Sequence, residues 1–158
     1  MVSPELLRRF PFFGFMNNQQ FNSIAMITNE AIFEKGDILL EYNHVADFLY
    51  LVIEGDVTLY YIVKPENDPS YFAEYYVSDI NSGEIFGISA LIEPYIYTGT
   101  MKASATSHVL RIDASSLRAL CNVDAKLASG FMHEVAKSAM ERLQDTRILL
   151  LSARIHER

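Results

Sequence analysis

Between residues 31 and 113 the chain is a succession of short β-branched, aliphatic and aromatic runs cut by turn residues, and after Asp113 its hydrophobic period becomes helical. That switch constrains the fold more than any other feature. The runs fall at 38–40, 48–53, 57–63, 71–77, 98–105 and 107–112, separated by Lys35-Gly36-Asp37, Tyr42-Asn43 and Glu54-Gly55-Asp56. Such short runs bury their apolar faces only by pairing into a closed or double sheet, which predicts a jelly roll or barrel-like sandwich. The polar stretch 64–70, with prolines at both Pro65 and Pro69, reads as an exposed hairpin loop.

Helices are expected on both sides of the roll. Residues 1–30 read as N-terminal helices, with Pro4 suited to a first helical turn and Pro11 and Gly14 as interruptions. Phe10, Phe12, Phe13, Phe15 and Phe21 crowd this segment, and the expectation is that their rings cap the end of the β-core. At the other end, Asp113 is a candidate N-cap for a helix over 114–120 and Asp124 for a long helix with no proline after it. Ala136, Ala139, Leu143, Thr146, Leu150 and Ala153 recur along it at alternating spacings of three and four, a seam of the coiled-coil type. Phe131, Met132 and Val135 form a second apolar stripe, expected on the roll. Two apolar faces on one helix predict that one of them meets a second copy of the chain, giving a homodimer.

The length, 158 residues, suits a single domain, divided as 1–30 (helices), 31–113 (roll) and 114–158 (helices). A net charge of −7 lacks the positive potential that nucleic acid requires. No window approaches the roughly 18 consecutive apolar residues of a membrane span, and no secretory signal opens the chain, so a cytoplasmic location is expected. The lone Cys121 allows no internal disulfide and reads as a small buried hydrophobe.

Several segments carry a family resemblance: 34–39 (Glu-Lys-Gly-Asp-Ile-Leu), 46–57 (from Ala46-Asp47-Phe48 to Glu54-Gly55-Asp56-Val57), 82–92 (with Gly83-Glu84-Ile85-Phe86-Gly87) and 103–112. Together with the helical entry, the chain resembles the cyclic-nucleotide-binding domain superfamily over nearly its whole length. The long terminal helix is most similar to that of the effector domains of Crp/Fnr-type transcription regulators. The resemblance implies a jelly-roll-like β-roll, a double-stranded β-helix, that serves as a ligand-sensing regulatory module and not as an enzyme. Gly36 and Gly55 fall where the strands of such a roll reverse, and Asn43 stands where relatives often have a glycine, being the residue next most tolerant of positive φ.

In relatives that bind cyclic nucleotides, the resemblance implies, a short helix after the Phe-Gly pair receives the phosphate, a glutamate directly after the glycine holds the ribose 2′-hydroxyl, and a later arginine neutralises the phosphate. Here Phe86 and Gly87 are kept and a helix is expected over 89–92, but the glutamate position reads Ile88 and the arginine position Tyr97. Losing the ribose contact costs roughly 1–3 kcal/mol and the phosphate contact roughly 2–5 kcal/mol more, so a micromolar ligand falls to millimolar or weaker. Ordinary cAMP or cGMP binding is therefore not expected, and no cofactor is. The candidate pocket comprises Phe86, Gly87, Ile88, Ser89, Ala90, Tyr97 and Thr98, with Thr100 as a further hydroxyl and Ala139 and Met140 facing it from the long helix. It is expected either to hold a different, less charged small-molecule effector or to be filled by its own side chains.

Other chemistries find less support. A cupin-like metal site needs clustered ligands, and His44, His108, His133 and His156 form no His-x-His pair, so no metal is expected. Haem sensing through His133 or Cys121, or a non-standard mode of cyclic-nucleotide binding, stands as an alternative. No serine or cysteine sits in a recognisable nucleophile motif. Residues 152–158 resemble the start of the junction to a helix-turn-helix domain, and the sequence stops there, so this chain alone is not expected to read DNA.

Overall fold

Ser3 opens the first helix, α1 (Pro4–Arg8): its hydroxyl accepts from the Leu6 amide at 3.3 Å, with Pro4 in the first turn. A 3-10 turn over Pro11–Phe13 follows, then α2 (Asn18–Met26). Asn17 and Gln20 cap α2 reciprocally, each side chain accepting from the other's amide at 2.8 and 2.9 Å. This is a computed structural model and it describes residues 1–68 and 70–157. Pro69, in the expected hairpin loop, and Arg158, in the expected terminal helix, lie outside the described residues.

Eight strands come next: β1 (Thr28–Phe33), β2 (Ile38–Leu40), β3 (Phe48–Glu54), β4 (Val57–Val63), β5 (Ala73–Ile80), β6 (Ile85–Phe86), β7 (Thr100–Ala103) and β8 (Ser107–Asp113). They form two four-stranded antiparallel sheets ordered β1-β8-β3-β6 and β2-β7-β4-β5. The architecture is thus a mainly antiparallel β-sandwich of jelly-roll type with flanking helices and a long C-terminal helix.

Several boundaries differ from the sequence reading, and strand pairing accounts for three of them. β1 begins at Thr28, inside the segment expected to be helical, because Thr28-Asn29-Glu30 pairs residue for residue with Ile112-Arg111-Leu110 of β8. Tertiary pairing outweighs the weak strand preference of those residues. β5 runs Ala73–Ile80 and not over 71–77, since its register on β4 sets Ala73 against Val63 and Ile80 against Val57. β7 is confined to Thr100–Ala103, where it lies between β2 and β4.

The turn residues follow the expected chemistry. Gly36 and Gly55 have φ of 95° and 108°, and Asn43 has φ of 69°. At Gly55 a Cβ would come within 2.6 Å of the Thr106 carbonyl oxygen and the Ser107 Cα, so only glycine fits.

Asp113 and Asp124 cap the helices as expected. Asp113 accepts from Ser116 N (2.9 Å) at the start of α3 (Ala114–Val123), and Asp124 from Leu127 N (3.0 Å) at the start of α4 (Ala125–His156). The Gln20 amide donates to the second Asp124 oxygen at 3.0 Å, tying the entry of α4 to α2. With 32 residues, α4 is about 48 Å long. Leu127, Phe131, Val135 and Ser138 are its buried positions. Met132, expected on the roll, is instead on the surface, one residue's rotation away from Phe131. Every described residue from 146 to 157 is exposed, so the last three turns carry no packing against the roll.

The N-terminal rings do more than cap the core. Phe12 and Phe15 meet Phe131 edge-to-face at 5.9 and 5.4 Å, clamping the first turns of α4. Gly130 leaves room for this, since a Cβ there would fall inside the Phe15 ring. Cys121 is half-buried against the core, and burial pushes its thiol up, away from the thiolate form.

Candidate functional site

The site forms where β6 ends. Tyr50 of β3 stacks on Phe86 with ring centroids 4.7 Å apart and planes 6° from parallel, and its hydroxyl donates to the Leu39 carbonyl at 3.1 Å. Burial pushes this phenol up to about 12, against the opposing pull of Arg111. After Phe86 the chain reverses through Gly87, φ 75°, into a 3-10 turn, Ile88–Leu91. A helix over 89–92 was expected; the observed turn is a single 3-10 turn that begins one residue earlier, with Gly87 as its left-handed N-cap. A Cβ at Gly87 would come within 3.1 Å of the Phe48 carbonyl oxygen and 3.3 Å of Leu40 and the Tyr97 ring.

Tyr97 is held by its main chain, whose amide donates to His44 O and whose carbonyl accepts from Asn43 N, both at 2.9 Å. The side chain turns inward. Its hydroxyl donates to Phe48 O at 2.7 Å and accepts from Phe48 N at 3.1 Å. Burial raises the phenol's pKa strongly, so it is a neutral donor at any ordinary pH. The ring walls the pocket while its polar end is spent on β3.

Between this turn, the inner face of the β4/β7 sheet and α4 lies a pocket of about 210 Å³. Phe86, Gly87, Ile88, Ser89, Tyr97, Thr98 and Ala139 all line it. Ala90 does not: it is fully buried behind the turn. Met140 does not either, being 72% exposed on another side of α4. Thr100 does not line it: the residue is fully buried, and its hydroxyl accepts from the Tyr42 amide at 3.1 Å.

Sequence reasoning missed Leu40, Leu59, Tyr61, Gly99 and Met101 from the roll, and Ser138 and Arg142 from α4. Arg142 is the important omission. It lies three residues after Ala139 and seven after Val135, so helical spacing alone places it on the inward face. Its Nη2 donates to the Ile85 carbonyl at 3.1 Å. Among the described residues it belongs to none of the ion pairs, which join His44 to Glu41, Lys102 to Glu74 and His108 to Glu30. The roll segment between Lys64 and Lys102 has no cation, and the helix brings one.

The seam residues Ala136, Ala139, Leu143, Thr146, Leu150 and Ala153 are all exposed. His44, His133 and His156 are exposed as well, and no cluster of three or more potential metal ligands occurs among the described residues. No described helix is long and apolar enough to cross a membrane.

Comparison with known proteins agrees with this geometry. Residues 30–124 match the cyclic nucleotide-binding domain family. The crystal structure of a putative cyclic nucleotide-binding protein from Geobacter metallireducens GS-15 is 34% identical, covers 90% of this chain and 99% of its own, and superposes with a TM-score of 0.78. The N-terminal domain of a transcriptional regulator from Streptomyces coelicolor A3(2) shares the fold at 24% identity and TM-score 0.63, over 86% of this chain and 93% of its own. So does the sensor domain of the transcriptional regulator DNR from Pseudomonas aeruginosa, at 16% identity and TM-score 0.67, over 86% and 92%. No match was found among the curated proteins. With its roll, its Phe86-Gly87 turn and its long terminal helix accounted for, the chain belongs to the cyclic nucleotide-binding domain family.

Proposed function

We propose that the protein is a ligand-sensing regulatory module of the Crp/Fnr type and not an enzyme, in which occupancy of the roll pocket shifts the pose of α4. The observation that carries this reading is that α4 itself supplies Ser138, Ala139 and Arg142 to the pocket wall. A ligand seated in the roll therefore touches the output helix directly, and a difference in affinity between two helix poses becomes a population shift. The similarity in fold to the sensor domain of one transcriptional regulator and the N-terminal domain of another points the same way.

The effector is a small molecule other than cAMP or cGMP held in their ordinary mode. Ile88 offers no acceptor to a ribose hydroxyl, and the Tyr97 hydroxyl is engaged with Phe48. The pocket is also below the roughly 300–1,000 Å³ usual for small-molecule sites. Titrating cAMP and cGMP to about 1 mM is expected to leave the melting temperature unchanged. A rise of several degrees at that concentration overturns this part of the reading.

A second copy of the chain covers the exposed seam of α4. Small and apolar residues at alternating three and four spacings match themselves across a two-fold axis, and the neighbouring Ile148, Leu151 and Ile155 are also exposed. Sedimentation at about 50 µM protein is expected to show a dimer, and Leu143→Glu with Leu150→Glu a monomer that keeps its fold. A monomer for the unmodified chain refutes the pairing. Function as a regulator inside the cytoplasm accords with this reading.

A further inference from the structure

We infer that the effector is a compact organic monoanion, a carboxylate on an apolar body, whose charge is read by Arg142 from the helix. The inference rests on the ligand-sensing reading above and names its ligand class.

A guanidinium carries five N–H donors, and at Arg142 the Ile85 carbonyl takes one. The group is half-buried beside the pocket and has no carboxylate in ion-pair range among the described residues. A planar fork with spare donors is matched by a carboxylate, which accepts two of them side by side. The remainder of the cavity asks for something else. Leu40, Leu59, Ile88 and Met101 face it with hydrocarbon, and its size admits only a compact body.

The charge is one and not two. Asp79, Glu84, Glu141 and Asp145 line the neighbouring hollow, which shares Arg142 with the pocket. A dianion such as a phosphate monoester would meet one positive charge and the repulsion of these carboxylates, leaving buried charge uncompensated. The second consequence is mechanical. Arg142 ties α4 to β6 through Ile85, and a carboxylate that takes the remaining donors engages a group fixed to both elements, so binding and helix position are linked.

The test uses the full chain with benzoate and 3-methylbutanoate, each against its neutral amide, and with inorganic phosphate, all at about 10 mM, and with cAMP at about 1 mM. Support is a melting-temperature rise of roughly 2 °C or more with at least one acid, none with its amide, and at least about tenfold weaker binding in Arg142→Gln, with Arg142→Lys between. Should Arg142→Gln fold poorly, the arginine Nε–H resonances of the unmodified protein serve instead: the acid shifts one of them and the amide does not. Silence from both acids in both measurements overturns the ligand class, as do equal responses to acid and amide or a stronger response to phosphate. A cAMP response overturns the exclusion of cyclic nucleotides argued in the preceding subsection, whereas silence from the acids with cAMP also silent refutes the ligand class alone.

Discussion

The Tyr97 hydroxyl makes a two-way bridge to the backbone of Phe48, donating to its carbonyl at 2.7 Å and accepting from its amide at 3.1 Å. β6 pairs only with Tyr50 and Leu51 and reaches no farther along β3. The phenol serves the next pair of backbone groups, standing in for the strand that has ended. Removing the hydroxyl leaves both without a partner, at a cost of about 1–3 kcal/mol. Tyr97→Phe should therefore lower the urea midpoint with the m-value unchanged, and an unaltered midpoint would show the bridge to be energetically idle.

The same bridge bears on nucleotide binding. If Ile88 and Tyr97 are what exclude cAMP, restoring an acid and a guanidinium with Ile88→Glu and Tyr97→Arg should gain affinity. The two contacts together correspond to at least about a hundredfold in Kd, offset partly by loss of the Phe48 bridge. Fluorescence titration with a labelled cAMP measures it. A double variant that folds and still ignores cAMP would move the cause of exclusion to the small cavity.

How much of this was legible beforehand depended on whether a feature is local. Asp113, Asp124 and Asn43 announce their roles through chemistry within three residues of themselves, and each stands where expected. Thr28-Asn29-Glu30 gives no such notice, because only β8 makes it a strand. The pocket divides the same way: the Phe86-Gly87 turn was visible as a motif, while Leu59 and Met101 join it through the β4/β7 pairing. Arg142 was recoverable, since the helical period that selected Ala139 also selects the residue three further on.

Alkaline pH should weaken the fold through Tyr50. Burial lifts its phenol from 10.0 to about 12, so folding favours the neutral form. Its contribution is fully present below pH 10 and is lost as pH rises from 10 towards 12, amounting to about 3 kcal/mol over that range. Tyr50→Phe, which cannot ionise, should lose less stability between pH 9 and 11.5 in parallel denaturation curves. Equal losses in the two proteins would place the alkaline sensitivity elsewhere.

Gly130 lies inside α4, where glycine costs about 1 kcal/mol relative to alanine, so replacing it would ordinarily stabilise the helix. Here the space for a Cβ is taken by Phe15. Even the Phe15 Cγ would lie only 2.7 Å from that Cβ, so flipping the ring about its own axis cannot clear the contact and the whole side chain must leave. Leaving means giving up the edge-to-face contact with Phe131 at 5.4 Å, worth about 0.5–1.5 kcal/mol beyond the buried area. Gly130→Ala alone should then be neutral to destabilising by about 1 kcal/mol, while in a Phe15→Ala background the same change should stabilise by up to about 1 kcal/mol. The reversal of sign between backgrounds, read from chemical denaturation of the four proteins, is the signature. If Gly130→Ala stabilises equally in both, the ring moves aside freely and the clamp on the first turns of α4 carries no energy.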